Sequence, residues 1–423
     1  MLLLSLLFLP SFERKPPEVL MPEGSLPLGK RASLALKFLD KPSGLREARV
    51  LILQGGKVCE LYLERFPRGQ KEREVRLSVE PQKLGLKEGE ARLLVRVRDF
   101  SLWNFGRGNR TVKEAKVLID LTPPEVELLA STRYVYQNGS GAVLLRVSAD
   151  AVKAGVKVGN CFFRAYPEGK GKPLWRGLFG IPFYAGGGKA RVVAWDRAGN
   201  EASWALPYVP LRRPMKRDVI SLSDTFIQTK IYPLLPPEKR HLSPEEAFEY
   251  VNEQMRRQND QFLRKVASSS LPEPLWEGAF LQFPNSKVMA TFGDRRTYLY
   301  KGKVIGHSVH LALDLASVPN APVPAANRGI VIFAGPVGIY GNVVILDHGL
   351  GLMTLYAHLS RWTVRKGQEV KKGQVIGYTG ATGFAGGDHL HFAVMLSGYP
   401  VDPIDWLDPK WMRERILPVF GRA

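Results

Sequence analysis

The chain has 423 residues, a length that suggests about three domains at roughly 150 residues each. Its 45% hydrophobic and 24% charged content, with 41 Gly and 31 Pro, excludes collagen-like, disordered and multi-span membrane classes. A net charge of +20 favours polyanions such as an anionic envelope polymer or a lipid surface. Nucleic acid is not expected as a partner. The chain shows no recognition helix with basic spacing, no zinc-finger spacing and no run of five Lys/Arg.

Residues 1–29 form an apolar N-terminal segment and linker. The run Met1–Phe12 is too short to cross a bilayer, which takes roughly 20 residues. It also lacks a basic n-region and a small-residue cleavage site. It is expected to belong to an export signal or membrane anchor whose beginning is missing from this chain. Cys59 and Cys161 are too few for a disulfide scaffold or a Cys-rich metal site.

Residues 30–122 and 123–210 read as two β-sandwich modules. ARVLILQ, REVRLSVE, ARLLVRVRD and AVLLRVSAD alternate apolar and polar residues with period two, and Gly, Pro and Asn bound them. The two stretches are copies of one pattern. Each has a strand, an Asp (Asp99, Asp196), a Gly-Asn pair (Gly108-Asn109, Gly199-Asn200) and a final strand. Gly-Asn between strands signals a hairpin, since both residues tolerate positive φ. Pro123 and Pro124 make a stiff junction. Cys59 and Cys161 fall in equivalent strands of separate modules and are not expected to pair. The pattern resembles bacterial immunoglobulin-like modules, which implies a spacer or adhesion role without chemistry.

Residues 211–272 are a basic linker and a helix. In SPEEAFEYVNEQMRRQNDQFLRKVA, Ser243 suits an N-cap, Pro244 the first helical position, and Glu246 completes a capping box. Phe248, Val251, Met255, Phe262 and Val266 form an apolar stripe. The stripe is expected to pack on a neighbouring domain or on an envelope protein partner; the alternative is that it covers the catalytic groove and holds the enzyme partly inhibited. Residues 273–410 return to β, as VMATFGDRRTYLY, RGIVIFAG, NVVILDHG, MTLYAHLS, QVIGYTG and HLHFAVML, and predict a compact antiparallel domain. Residues 411–423 are a tail. The fold class is therefore mainly β, with one helical linker.

Six of the seven His lie between His307 and His391, together with Asp314. Such clustering is what a metal or acid–base site requires. In HLHF, His389 and His391 are two apart on a predicted strand, so both imidazoles share one face. In HLALD, His310 and Asp314 share a face too, but in a straight strand they lie about 13 Å apart. One metal takes both only if the chain bends. His358 in YAHLS ends another strand. His348, between Asp347 and Gly349, suits a turn held by hydrogen bonds. His307 has no independent support, and His241 reads as surface. Imidazole nitrogen with one carboxylate oxygen suits Zn²⁺. Two His and one Asp would leave an open position for water, whose pKa falls to about 7 when bound. Further His would then move protons and stabilise an oxyanion.

The order HLALD, YAHLS, GDHLHF resembles the lysostaphin-like zinc metallopeptidases, which cleave peptide bonds in bacterial peptidoglycan. The flanks FGDRRTY, YGNVVILDHGLGLMTLYAHLS, VKKGQVIGYTGATGFAGGDHLHFAV and YPVDP agree, from about Trp276 to Trp406. The resemblance implies His310, Asp314 and His391 as ligands of one Zn²⁺ per chain. It implies His389 and His358 as the catalytic pair that activates water and stabilises the oxyanion. Gly341 and Asn342 match a tight turn, and Gly380, Thr382 and Gly383 a glycine-rich loop. Ala312 stands where the family usually has Gly, Ala393 where it has Glu, and Asp388 where it has Pro; none of these removes a ligand.

The expected function is a zinc endopeptidase of the bacterial envelope, acting on cross-linking or stem peptides of peptidoglycan, with the N-terminal segment as an export signal or membrane anchor. Two rivals are a non-catalytic peptidoglycan-binding or hydrolase-activating module and an adhesion protein. The first needs missing ligands, and the second leaves the His cluster unexplained.

Overall fold

The computed structural model describes residues 12–169, 171–185 and 189–421. Residues 1–11 of the apolar N-terminal run lie outside the described residues. The chain divides into two compact units. One holds the residues up to Pro124 with Asp150–Val152 and Trp195–Ala202; the other holds Glu125–Ala149, Lys153–Ala194 and everything from Ser203 onward.

In the first unit the period-two pattern becomes two sheets over one core. Three strands run in the order Glu18–Leu20, Ala32–Leu39, Glu72–Val79. Five run in the order Leu26–Leu28, Arg110–Ile119, Gly89–Asp99, Leu45–Gln54, Lys57–Arg65. Alternate residues Leu34, Leu36 and Phe38 of one sheet and Val50, Ile52, Leu93 and Val95 of the other are buried in that core.

The Asp and Gly-Asn repeat works differently from a simple hairpin. Gly108 and Gly199 have φ of +77° and +84°, whereas Asn109 and Asn200 keep ordinary negative φ. The Asn residues are there for their side chains. Asp99 accepts from the Asn109 backbone N–H (2.7 Å) and Nδ2 (2.9 Å). Asp196 accepts from the Asn200 backbone N–H (2.9 Å) and Nδ2 (2.8 Å). Each Nδ2 also donates to a carbonyl of the segment leading into its copy, Glu13 (3.0 Å) and Asp120 (2.8 Å). Each buried carboxylate is thereby satisfied and the leading segment fastened.

The second copy forms a seven-stranded order, in which Cys161–Pro167 pairs with both Ala151–Val158 and Leu174–Gly180. Cys59 and Cys161 are both free thiols.

The C-terminal part is built on an antiparallel sheet in the order Lys287–Ala290, Leu313–Ala316, Leu390–Leu396, Leu352–Leu359, Asn342–Asp347, Gly329–Pro336, Glu369–Val370, with Tyr399–Val401 beside Leu390–Leu396. Every residue of Leu352–Leu359 and Leu390–Leu396 is buried, so this sheet is covered on both faces. The helix supplies one cover. It runs from Pro244 to Val266 with a π-turn at Tyr250–Met255, and the capping box forms as expected. Phe248, Val251, Met255 and Leu263 join Val343, Ile345, Met353, Leu355, Ala393 and Met395 in one core. The stripe therefore packs on its neighbouring domain, and its apolar face is occupied by this chain's own sheet. Strand Arg217–Leu222 pairs parallel with Arg295–Tyr300, so residues before 273 also extend this region's strands. Among the described residues no helix is long and apolar enough to cross a membrane.

Candidate metal centre

Strand register brings the site together. Asp314 lies directly opposite His391 in the pairing of Leu313–Ala316 with Leu390–Leu396, so the two side chains share a face. His310 precedes its strand. The chain bends at Ala312 before Leu313–Ala316 begins, which supplies the turn that a straight strand would deny. His310 Nε2 and His391 Nδ1 each lie 2.9 Å from Asp314 Oδ1, and 3.3 Å from one another. Ligands about 2.0–2.2 Å from a tetrahedral zinc lie roughly 3.3 Å apart, so this N, N, O set fits one such ion. The three residues are buried and form a group able to hold a metal.

Supporting bonds aim each donor. The His310 Nδ1 is 3.0 Å from the Thr291 carbonyl, which leaves Nε2 for a ligand role. Thr291 is itself held by Asp294, which accepts from its N–H (2.8 Å) and its hydroxyl (2.7 Å). Arg296 Nη2 donates to Asp314 Oδ2 at 3.1 Å, so Oδ1 is the oxygen turned to the imidazoles. Arg296, Thr291 and Asp294 were not singled out by sequence reasoning. Asp294 and Arg296 lie in the FGDRRTY segment and Thr291 directly before it, and no spacing within that stretch points to a site lying beyond it.

His358 and His389 complete a ring of imidazoles. Their ring centroids lie 4.9 Å apart, and His358 lies 5.4 Å from His391. In regular alternation Met353, Leu355 and Ala357 share the helix-covered face, and His358 would point away from it. The pairing of Asn342–Asp347 with Leu352–Leu359 slips there, and His358 has φ of +60°. This bulge turns His358 to the side of His391, at a backbone cost of about 1–3 kcal/mol. The Thr382 carbonyl lies 2.8 Å from His358 Nδ1 and the Gly387 carbonyl 2.9 Å from His389 Nδ1. Thr382 is placed by the two glycine turns. A Cβ on Gly341 (φ +62°) would lie 2.4 Å from the Thr382 carbonyl carbon, and one on Gly383 (φ +71°) 2.4 Å from the Gly341 nitrogen.

Electrostatics divides these groups. Burial opposes ionisation of Asp314, but bonds from His310, His389 and His391 outweigh it and hold the carboxyl well below its ordinary range. Burial pushes His391 down to about 4 and His358 well below the usual imidazole value, with the neighbouring imidazoles adding to it. His389 runs the other way: burial opposes, yet Asp314, 3.5 Å from its Nε2, lifts it.

The remaining His stand apart. His348 is fully buried, with Nδ1 2.6 Å from the Arg328 carbonyl and Nε2 2.7 Å from the Thr354 hydroxyl, the hydrogen-bonded structural role its sequence context suggested. His307 is exposed, 3.2 Å from the Thr297 hydroxyl, and His241 is exposed in a turn. In the first unit Glu13, Asp40 and Asp99 also cluster, but Asp99 is already engaged by Asn109 and the Ser101 N–H.

A family profile described as Peptidase family M23 matches residues 308–403. The chain is 42% identical over 96 residues to the DD-carboxypeptidase/endopeptidase Mpg of Neisseria meningitidis, covering 23% of this chain and 22% of that one. It is 36% identical over 130 residues to the peptidoglycan DD-endopeptidase ShyB of Vibrio cholerae, covering 30% of each. Among solved structures, the catalytic domain of lysostaphin from Staphylococcus simulans is 30% identical, with a TM-score of 0.25, over 29% of this chain and 92% of that one. The chain covers less than a third of the length of either curated relative.

Proposed function

Residues 308–403 are a peptidase family M23 domain, and on that premise we propose that this chain is a zinc endopeptidase of the bacterial envelope that hydrolyses peptide bonds in peptidoglycan cross-links or stem peptides. The observation that carries the reading is the convergence of His310 Nε2, Asp314 Oδ1 and His391 Nδ1 within 3.3 Å of one another, with two more imidazoles beside them. A zinc ion held by these three residues supplies Lewis acidity toward the scissile carbonyl and lowers the pKa of water. His358 and His389 each have Nδ1 at a backbone carbonyl, leaving Nε2 to take a proton from water, pass it to the leaving amine or donate to a developing oxyanion. The +20 charge is compatible with an anionic wall. A membrane anchor at the N-terminus belongs to the same proposal.

The test is zymography on purified peptidoglycan with and without a chelator, run beside metal analysis. His310→Ala, Asp314→Ala and His391→Ala are expected to lose zinc and clearing together. His358→Ala and His389→Ala should keep most zinc and lose activity by a factor on the order of 10² or more. Clearing that survives the chelator would sink the metallopeptidase reading. Folded, zinc-loaded protein that binds the wall without clearing it would favour the non-catalytic alternative.

A further inference from the structure

The imidazole ring opens into a cavity of about 460 Å³, within the size range of small-molecule sites. Residues outside the matched stretch build part of its wall. Leu222 and Phe226 bring apolar surface, with Phe384 from the glycine-rich side, and the helix brings Arg256 and Asp260. These two lie four residues apart, on one face of the helix just after its π-turn.

Their positions are held firmly. Asn259, next to Asp260, accepts from the Ile339 N–H at 3.0 Å, and a Cβ on Gly338 would lie 2.6 Å from the Asn259 amide. The helix is thus pressed onto the turn that carries Tyr340, whose ring lies 5.6 Å from His391. Burial pushes the Tyr340 hydroxyl up, and the Asp260 charge adds to it, as expected for close neighbours. Arg256 is tied to the helix, with Nε 3.1 Å from the Asn252 carbonyl and Nη2 3.2 Å from its Oδ1. Those bonds leave Nη1 available.

Arg256 and Arg264 both favour the Asp260 charge through space, yet among the described residues the half-buried Asp260 carboxylate makes neither a close ion pair nor a hydrogen bond. An unpartnered carboxylate beside a guanidinium with a free nitrogen, above an apolar wall, matches one kind of ligand. That ligand carries an ammonium and a carboxylate on the same carbon at the end of a short hydrocarbon stem.

We propose that Asp260 and Arg256 are specificity residues of this cavity, binding the zwitterionic end of a diamino-acid side chain in a wall peptide. Asp260 takes the ammonium, Arg256 takes the carboxylate, and the stem lies against Leu222, Phe226 and Phe384. The identity of the polymer rests on the endopeptidase reading; the charge recognition does not.

The experiment uses the full, zinc-loaded chain and calorimetric binding of three peptides whose scissile bond is replaced by an uncleavable link. They differ only in the diamino-acid side chain: free zwitterion, N-acetylated, or carboxamide. The free form should bind about tenfold or more tightly than the acetylated form, the scale of one charge-assisted hydrogen bond. It should also bind several-fold more tightly than the carboxamide. Asp260→Asn should erase the first preference and keep the second, and Arg256→Gln the reverse. The wild-type comparison stands even if a variant fails to fold. Equal binding of the three peptides, no binding, or a uniform loss in both variants would overturn the proposal. Turnover of the cleavable free peptide separates the two claims. A zwitterion preference without cleavage would defeat the endopeptidase reading and leave the subsite standing; cleavage without preference would defeat the subsite alone.

Discussion

Arg296 shows how much of this site depends on a residue that is not itself one of the three donors. Its bond to Asp314 Oδ2 fixes which carboxylate oxygen faces the imidazoles. Burial disfavours its charge, but Asp314 holds the guanidinium firmly ionised. Arg296→Met should therefore weaken zinc binding by about 10–100-fold while the fold persists. Competition with a chromogenic chelator measures this, and unchanged affinity would make the ion pair incidental. His348 gives a prediction about acid. Burial depresses it from 6.5 to about 4, so the fold keeps it neutral while the unfolded chain takes up a proton. Its contribution is complete above pH 6.5 and is lost as pH falls toward 4, by about 3 kcal/mol in all. Neighbouring Asp347, pushed up by burial, contributes with the opposite sign at acid pH. The clean measurement is therefore urea unfolding of wild type against His348→Gln. Their stability gap should narrow from pH 7 to pH 4, and a constant gap would refute the assignment.

At the scale of elements, the helix is a structural part of the histidine-bearing C-terminal region. Phe248 is fully buried, with its ring centroid 5.0 Å from that of Tyr298 and 6.0 Å from that of Phe384. Phe248→Ala should cost about 3–5 kcal/mol, read as a lowered urea midpoint, whereas Glu249→Ala on the exposed side should stay within about 0.5 kcal/mol. Similar costs for both would mean that the helix is only loosely docked. The bulge at His358 is the other decisive element. One slipped pair in an otherwise regular ladder turns an imidazole from one face of the sheet to the other.

At the scale of the molecule, most of the second copy, Glu125–Ala149 and Lys153–Ala194, belongs to the same compact unit as the histidine-bearing sheet. Trp406 Nε1 donates to Ser140 Oγ at 3.1 Å. Arg213 bridges Asp402 (2.8 Å) and Asp405 (2.5 Å) and lies over the Tyr136 ring at 3.8 Å. A piece starting near Pro272 loses strand Arg217–Leu222 and the helix, which uncovers Tyr298, Tyr300, Val343, Ile345 and Met353. Such a piece is expected to aggregate or unfold. A piece starting at Glu125 should show a cooperative thermal transition and hold zinc. Circular dichroism and metal analysis of both decide this. A folded, zinc-binding short piece would show that the helix is dispensable.

Much of the site was legible along the chain because its signals are local. The i, i+2 spacing of His389 and His391, the glycine turns and the capping box at Ser243 each span a few residues, and backbone geometry converts such spacings directly into shared faces or turns. The period-two strands of the modules are legible for the same reason. The unread features join residues far apart. Nothing within HLALD says that the chain bends at Ala312, because the bend follows from the register that sets Asp314 opposite His391. The partnership of Arg296 with Asp314 and the flip of His358 depend on sheet pairing. So do the burial of the helix stripe and the arrival of Asp260 beside Tyr340. Strand register and packing are cooperative properties of many side chains, and they set these distances where sequence separation does not.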